Sequence, residues 1–227
     1  MLKNLLKLIF PELCYGCNNL LLLNEEIICS TCRHNLPLTN HHLIKSNDTT
    51  KKFYGILNLE FGASMLYFHK KGIVQKLIHN LKYKGKEEIG HLLGEWYGND
   101  IKNLEITKNI NYIIPVPLHQ KRLKERSYNQ VDSFCKSLSA VTHIPYNKEL
   151  LIRTKYNKTQ TKKSKNERQE NVQNIFDINY NEHYSGKHFL IIDDVITSGA
   201  TLELCAKALL RIPNSKISII TIAYTQS

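Results

Sequence analysis

Short apolar runs alternate with amphipathic stretches along most of this chain. Phe189-Leu190-Ile191-Ile192 is apolar at every position, which reads as a strand buried on both faces inside a parallel sheet. Tyr112-Ile113-Ile114, closed by Pro115 and Pro117, reads as a second such strand, and residues 217–224 as a last one. Alternation at Leu57, Leu59 and Phe61, continued by Met65-Leu66-Tyr67-Phe68, predicts sheet over residues 56–68. Between these runs the period becomes helical. Ile73, Leu77, Ile78 and Leu81 mark one helix, and Ile89, Leu92, Leu93 and Trp96 a second. Val131, Phe134, Cys135 and Leu138 mark another, and Leu202, Cys205, Ala206 and Leu209 the last. Strands alternating with helices predict an α/β fold built on a parallel sheet. Residues 40–52 are polar and aperiodic, so they read as a linker in which His41 and His42 are solvated. The expected division is a small unit over 1–40, a linker over 41–52 and a sheet domain over 53–227.

The strand at 189–192 runs into two adjacent carboxylates, Asp193 and Asp194, and then into small and hydroxyl residues before the last helical stripe. A loop at a helix N-terminus offers backbone N–H groups to an anion. Gly199 allows close approach, and Thr197, Ser198 and Thr201 add hydroxyl donors. The two acids can accept hydrogen bonds from a sugar diol but repel phosphate, so the pairing points to a ribose 5-phosphate. The plainer alternative is a strand-to-helix turn capped by Asp194 or Thr197. A Walker loop is excluded, because no lysine follows the glycine.

Cysteine usage adds a second feature. Cys14 and Cys17 form one Cys-x-x-Cys pair and Cys29 and Cys32 another, with eleven residues between them. A short hairpin through residues 20–23 and 27–28 would bring four thiolates together as a tetrahedral structural zinc site. Disulfides, buried thiols, or relics of a lost site are the alternatives. Loss of one ligand is expected to unfold this unit alone. The remaining two cysteines fall on helical stripes, and the whole pattern fits a reducing, cytoplasmic compartment. No run is long and apolar enough to span a membrane, and residues 1–10 read as a short amphipathic helix.

A formal charge of +11 favours polyanionic partners, although a solvated surface accounts for much of it. Lys82, Tyr83, Lys84 and Lys86 combine charge with one ring, as a grip on single-stranded nucleic acid or as a solvated helix end. Arg122 and Arg126, one turn apart after a strand end, suit bidentate phosphate recognition. Residues 153–174 are the most basic segment, with Lys162, Lys163 and Lys165 as further candidates for DNA.

The acidic strand and its Thr-Gly loop resemble the signature of the type I phosphoribosyltransferases. Further motifs are similar, in the same order, to the ComF family of competence proteins. These are the paired cysteines, Leu81-Lys82-Tyr83-Lys84-Gly85, and Pro115-Val116-Pro117-Leu118-His119 with Arg122, Arg126, Asn129 and Gln130. Where that family usually has Gly-Phe, this chain has Ser127-Tyr128. The resemblance implies a parallel sheet of the type I phosphoribosyltransferase kind, preceded by a zinc ribbon. It implies binding of phosphoribosyl pyrophosphate, with the diol on Asp193 and Asp194. Val195, Ile196, Thr197, Ser198, Gly199, Ala200 and Thr201 would surround the 5-phosphate. A hood carrying Gln160, Arg168 and Asn171 would close over the pyrophosphate. Mg²⁺ is expected, because several phosphate charges need neutralising. The implied role is uptake and handling of transforming DNA, with single-stranded DNA and other DNA-uptake proteins as partners. Two alternatives stay open: a metabolic transferase acting on a base or amine, and a nucleotide-sensing DNA-binding protein without turnover.

Overall fold

The computed structural model describes residues 11–154 and 175–226. Four parallel strands form the main sheet in the order β1-β6-β5-β2. They are β1 (Phe61–Phe68), β2 (Tyr112–Pro115), β5 (His188–Ile196) and β6 (Lys216–Thr225). A small antiparallel ladder pairs β3 (Leu151–Arg153) with β4 (Phe176–Ile178). The helices, in chain order, are α1 (Ser30–His34), α2 (Asp48–Lys51), α3 (Ile73–Tyr83), α4 (Glu87–Ile101), α5 (Glu105–Lys108), α6 (Gln120–Arg126), α7 (Asp132–Thr142) and α8 (Ala200–Leu209). β5 and β6 lie centrally, which is why their residues are buried almost without interruption.

The pleat divides the core. Leu190, Ile192, Ile220 and Ile222 pack with α3, α4 and α7, while Phe189, Ile191, Ile217 and Ile219 pack with α8 and the small ladder. Val74, Leu77, Ile78 and Leu81 form the buried face of α3, each contributing about 1.5–3 kcal/mol by leaving water. Helix α4 approaches α7 through a glycine stripe. A Cβ at Gly94 would stand 2.4 Å from the Phe134 carbonyl oxygen, and one at Gly90 would meet the Ser133 hydroxyl.

Three expectations are corrected. Residues 56–60 are not strand, since β1 begins at Phe61. Residues 20–23 and 27–28 form no hairpin strands; a single bridge joins Leu13 to Leu20, and Leu22 and Leu23 are exposed. The segment expected as a solvated linker folds against β1, and His41 and Thr49 are buried. His41 Nδ1 lies 3.0 Å from Thr49 Oγ1, which lies 2.7 Å from Ser64 Oγ, itself 2.7 Å from Thr221 Oγ1. The polarity that makes 40–52 look like a linker is consumed in this internal chain of hydrogen bonds. Residues 1–10 lie outside the described residues.

Candidate ligand site and four-cysteine knuckle

Strand β2 ends at Pro115, paired with Ile192, so beyond that level β5 has a neighbour only on its β6 side. Asp193 and Asp194 stand there, at the carboxyl ends of the strands. The loop is shorter than the motif implies. Val195 and Ile196 are still in β5, and Ile196 is buried in the α8-side core. Thr197 and Ser198 are exposed, Gly199 caps α8 at φ 85°, and Ala200 and Thr201 begin the helix. At this glycine a Cβ would sit in the left-handed region and 3.2 Å from the Phe53 ring. The first N–H groups of α8 and the exposed hydroxyls share this rim, an arrangement that can accept an anion.

Each oxygen of Asp194 has a partner. Lys82 Nζ lies 2.9 Å from Oδ1, and Gln130 Nε2 donates to Oδ2 at 2.5 Å. Arg126 Nη1 donates to Gln130 Oε1 at 2.9 Å, and its guanidinium lies 4.9 Å from the Tyr83 ring centroid. Asp193 takes the α8 side, with Arg153, Cys205 and Asp194 in its electrostatic surroundings. Burial, then repulsion from Asp194, push its carboxyl up to about 7, against the pull of the Asp194 N–H, Lys82 and Arg153. Burial also lowers Arg153, followed by repulsion from Arg122, so these two cations crowd one side of the site.

The expected basic grip is therefore split. Lys82 belongs to the acid pair, and Lys86 lies 5.1 Å from the Tyr15 ring centroid in the knuckle. Tyr83 and Lys84 stay exposed. Arg122 and Arg126 share α6, which has no buried residue, but their surroundings differ: Arg126 is tied to Gln130 and Tyr83, and Arg122 is exposed. Gln160, Arg168 and Asn171, and also Lys162, Lys163 and Lys165, lie outside the described residues. Arg153 was legible only as part of a basic run, and Gln130 only as part of a motif. Their roles come from pairing across the fold. Ser127 closes α6 at φ 64°, a backbone conformation that glycine adopts without a Cβ penalty.

The cysteines meet as expected. The Sγ atoms of Cys14, Cys17, Cys29 and Cys32 all lie within 4.8 Å of one another. Sulfurs held about 2.3 Å from a tetrahedral ion are spaced by about 3.8 Å, and Cys17 Sγ to Cys29 Sγ is 3.7 Å. N–H groups of Cys29 and Gly16 point at Cys14 Sγ, at 3.2 and 3.4 Å. Burial raises the Cys14 thiol, yet these donors bring it down to about 7, whereas burial and neighbouring sulfur push Cys32 up. The donor set fits a metal ion such as zinc, whose charge would hold all four as thiolates. Gly16 is required, since a Cβ there would meet Cys32 Sγ and Ile73 Cγ2, both at 2.9 Å. The knuckle is not a separate core: Cys14, Cys29 and Cys32 cluster with α3, α4 and the sheet.

Residues 136–227 match the phosphoribosyl transferase domain family. The chain is 30% identical over 218 residues to the DNA utilization protein YhgH of Shigella flexneri, covering 88% of this chain and 92% of that protein. It is 27% identical over 200 residues to competence protein ComFC of Bacillus subtilis (strain 168), covering 88% and 78%. Competence protein F of Haemophilus influenzae is 32% identical over 121 residues, 53% of each chain.

Proposed function

The chain belongs to the ComF/YhgH family of competence and DNA-utilisation proteins, and from that premise we propose that it binds phosphoribosyl pyrophosphate and single-stranded DNA during DNA uptake. The observation that carries this reading is the exposed Thr197-Ser198 loop opening onto the N-terminus of α8 beside a half-buried acid. The 5-phosphate sits on Thr197, Ser198 and the first turn of α8, and the sugar hydroxyls meet Asp193 and the edge of Asp194. Arg122 and Arg153 face the pyrophosphate. Mg²⁺ would accompany the phosphates and neutralise their charge. The cysteines hold a structural zinc. Buried thiols at Cys135 and Cys205, outside the knuckle, suit a cytoplasmic protein.

Exposed Tyr83 and Lys84, together with Lys162, Lys163 and Lys165, bind the DNA, and other DNA-uptake proteins are its partners. Calorimetry with phosphoribosyl pyrophosphate and Mg²⁺ tests the small-molecule half. Unchanged affinity in Asp193→Asn/Asp194→Asn would overturn it. Single-strand binding should fall steeply with salt and ignore sequence, and the slope should flatten when Lys162, Lys163 and Lys165 are replaced. A second reading, glycosyl transfer to a base or amine, is favoured by the phosphoribosyl transferase domain match over residues 136–227. Pyrophosphate release with candidate bases separates it from a site that binds without turnover.

A further inference from the structure

The knuckle touches α3 and α4 at defined points. Asn80, 7% exposed in the last turn of α3, donates from Nδ2 to the Tyr15 carbonyl oxygen at 3.0 Å. The Tyr15 hydroxyl donates to Glu88 Oε1 at 2.8 Å, and Arg33 lies 4.6 Å over the Trp96 ring. Tyr15 stands between Cys14 and Gly16, inside the first Cys-x-x-Cys pair. Two residues beyond Asn80 on the same helix, Lys82 reaches Asp194. From the other side the Tyr128 hydroxyl donates to the Leu81 carbonyl oxygen. The three consecutive residues Asn80, Leu81 and Lys82 are thus held by the knuckle, by the turn after α6 and by the acid pair.

We propose that the four-cysteine knuckle is a positioning element of the ligand site, acting through the Asn80 to Tyr15 bond on the turn of α3 that carries Lys82. The physical reason is leverage at a helix end. The last carbonyls of α3 lack intrahelical donors and the terminal turn frays unless it is tied down. A lysine on a frayed turn spends rotamer freedom to reach a buried carboxylate, so an ordered turn strengthens the pair. Asn80 also ties down the backbone past the helix, accepting from the Lys84 and Lys86 N–H groups through its carbonyl. This inference rests on the proposed ligand reading for its consequence and on geometry alone for its coupling.

The groups facing Asp193 are Asp194 on its own strand, Lys82 from α3, Arg153 from β3, Cys205 from α8 and Cys135 from α7. Of these, the knuckle reaches Lys82 through Asn80. The test compares wild type, Asn80→Ala, Lys82→Met and the double variant as full chains, with metal content and thiol reactivity measured to establish that the knuckle is intact. Asn80→Ala should raise the Asp193 carboxyl midpoint seen by carbon NMR, by roughly half a pH unit, in the same direction as Lys82→Met. It should weaken phosphoribosyl pyrophosphate about fivefold, the effect of one lost buried hydrogen bond. The double variant should be no worse than Lys82→Met alone. An Asn80→Ala protein with an intact knuckle and unmoved midpoint overturns the proposal, as do effects that simply add. If Asn80→Ala does not fold, Asn80→Leu, which keeps the bulk of the side chain and removes the Nδ2 donor to the Tyr15 carbonyl, should move the midpoint the same way, and an unmoved midpoint there overturns it too. If the wild type does not bind phosphoribosyl pyrophosphate, the ligand reading fails and the midpoint still decides the coupling.

Discussion

Asp193 and Asp194 are neighbours in the chain and stand on opposite faces of β5, one toward α8 and the other bound to Lys82 of α3 and to Gln130. The period of two along a strand separates them, so the two carboxyls have different surroundings. Asp194 is held by two partners, whereas Asp193 keeps its proton to about pH 7.

That raised value makes stability depend on pH. The unfolded carboxyl titrates near about 3.9, so between there and about 7 the folded state binds more protons than the unfolded one. Stability from this group is therefore present at low pH and lost as pH rises through about 7, by at most a few kcal/mol. Asp193→Asn should unfold at higher denaturant than wild type at pH 8 and lose most of that advantage at pH 5. Equal differences at both pH values would rule out the assignment.

Replacing Cys14 or Cys32 with Ser should destabilise the sheet domain together with the knuckle. These side chains share a core with Leu77, Leu93, Ile113 and Ile220, so removing a metal ligand withdraws support from α3 and α4, at a cost of several kcal/mol. One cooperative transition, shifted to lower temperature, is expected by circular dichroism. An unchanged sheet transition after loss of the knuckle would restore the picture of an independent unit.

Gly94→Ala should cost about 3 kcal/mol or more, because the new methyl would overlap the Phe134 carbonyl oxygen and α4 would have to part from α7. Thermal unfolding reads this directly, and a change within a few tenths of a kcal/mol would mean that the helices part easily.

Ser127→Gly should stabilise slightly, by about 0.5–1 kcal/mol, since the backbone at φ 64° is one that glycine adopts without a Cβ penalty. A lowered melting temperature would show that the hydroxyl or chain stiffness matters more than the torsion.

Several features were legible in the sequence because their causes are local. Four consecutive apolar residues at 189–192 read as a strand covered on both faces, and the helical stripes of α3, α4, α7 and α8 follow from side-chain period. The spacing of the two Cys-x-x-Cys pairs predicts the cluster that the four sulfurs form, and the acidic run with its Thr-Gly loop predicts the turn from β5 into α8. The tertiary structure decided what depends on elements far apart in the chain. His41 is polar in sequence and buried in the fold, because Thr49, Ser64 and Thr221 converge on it from other elements. Lys82 looks like a surface lysine until β5 brings Asp194 to it, and the glycines of α4 look incidental until α7 presses against them. Burial, ion pairing and close helix contact are properties of two surfaces meeting, and a residue's own chemistry does not say which surface it will meet.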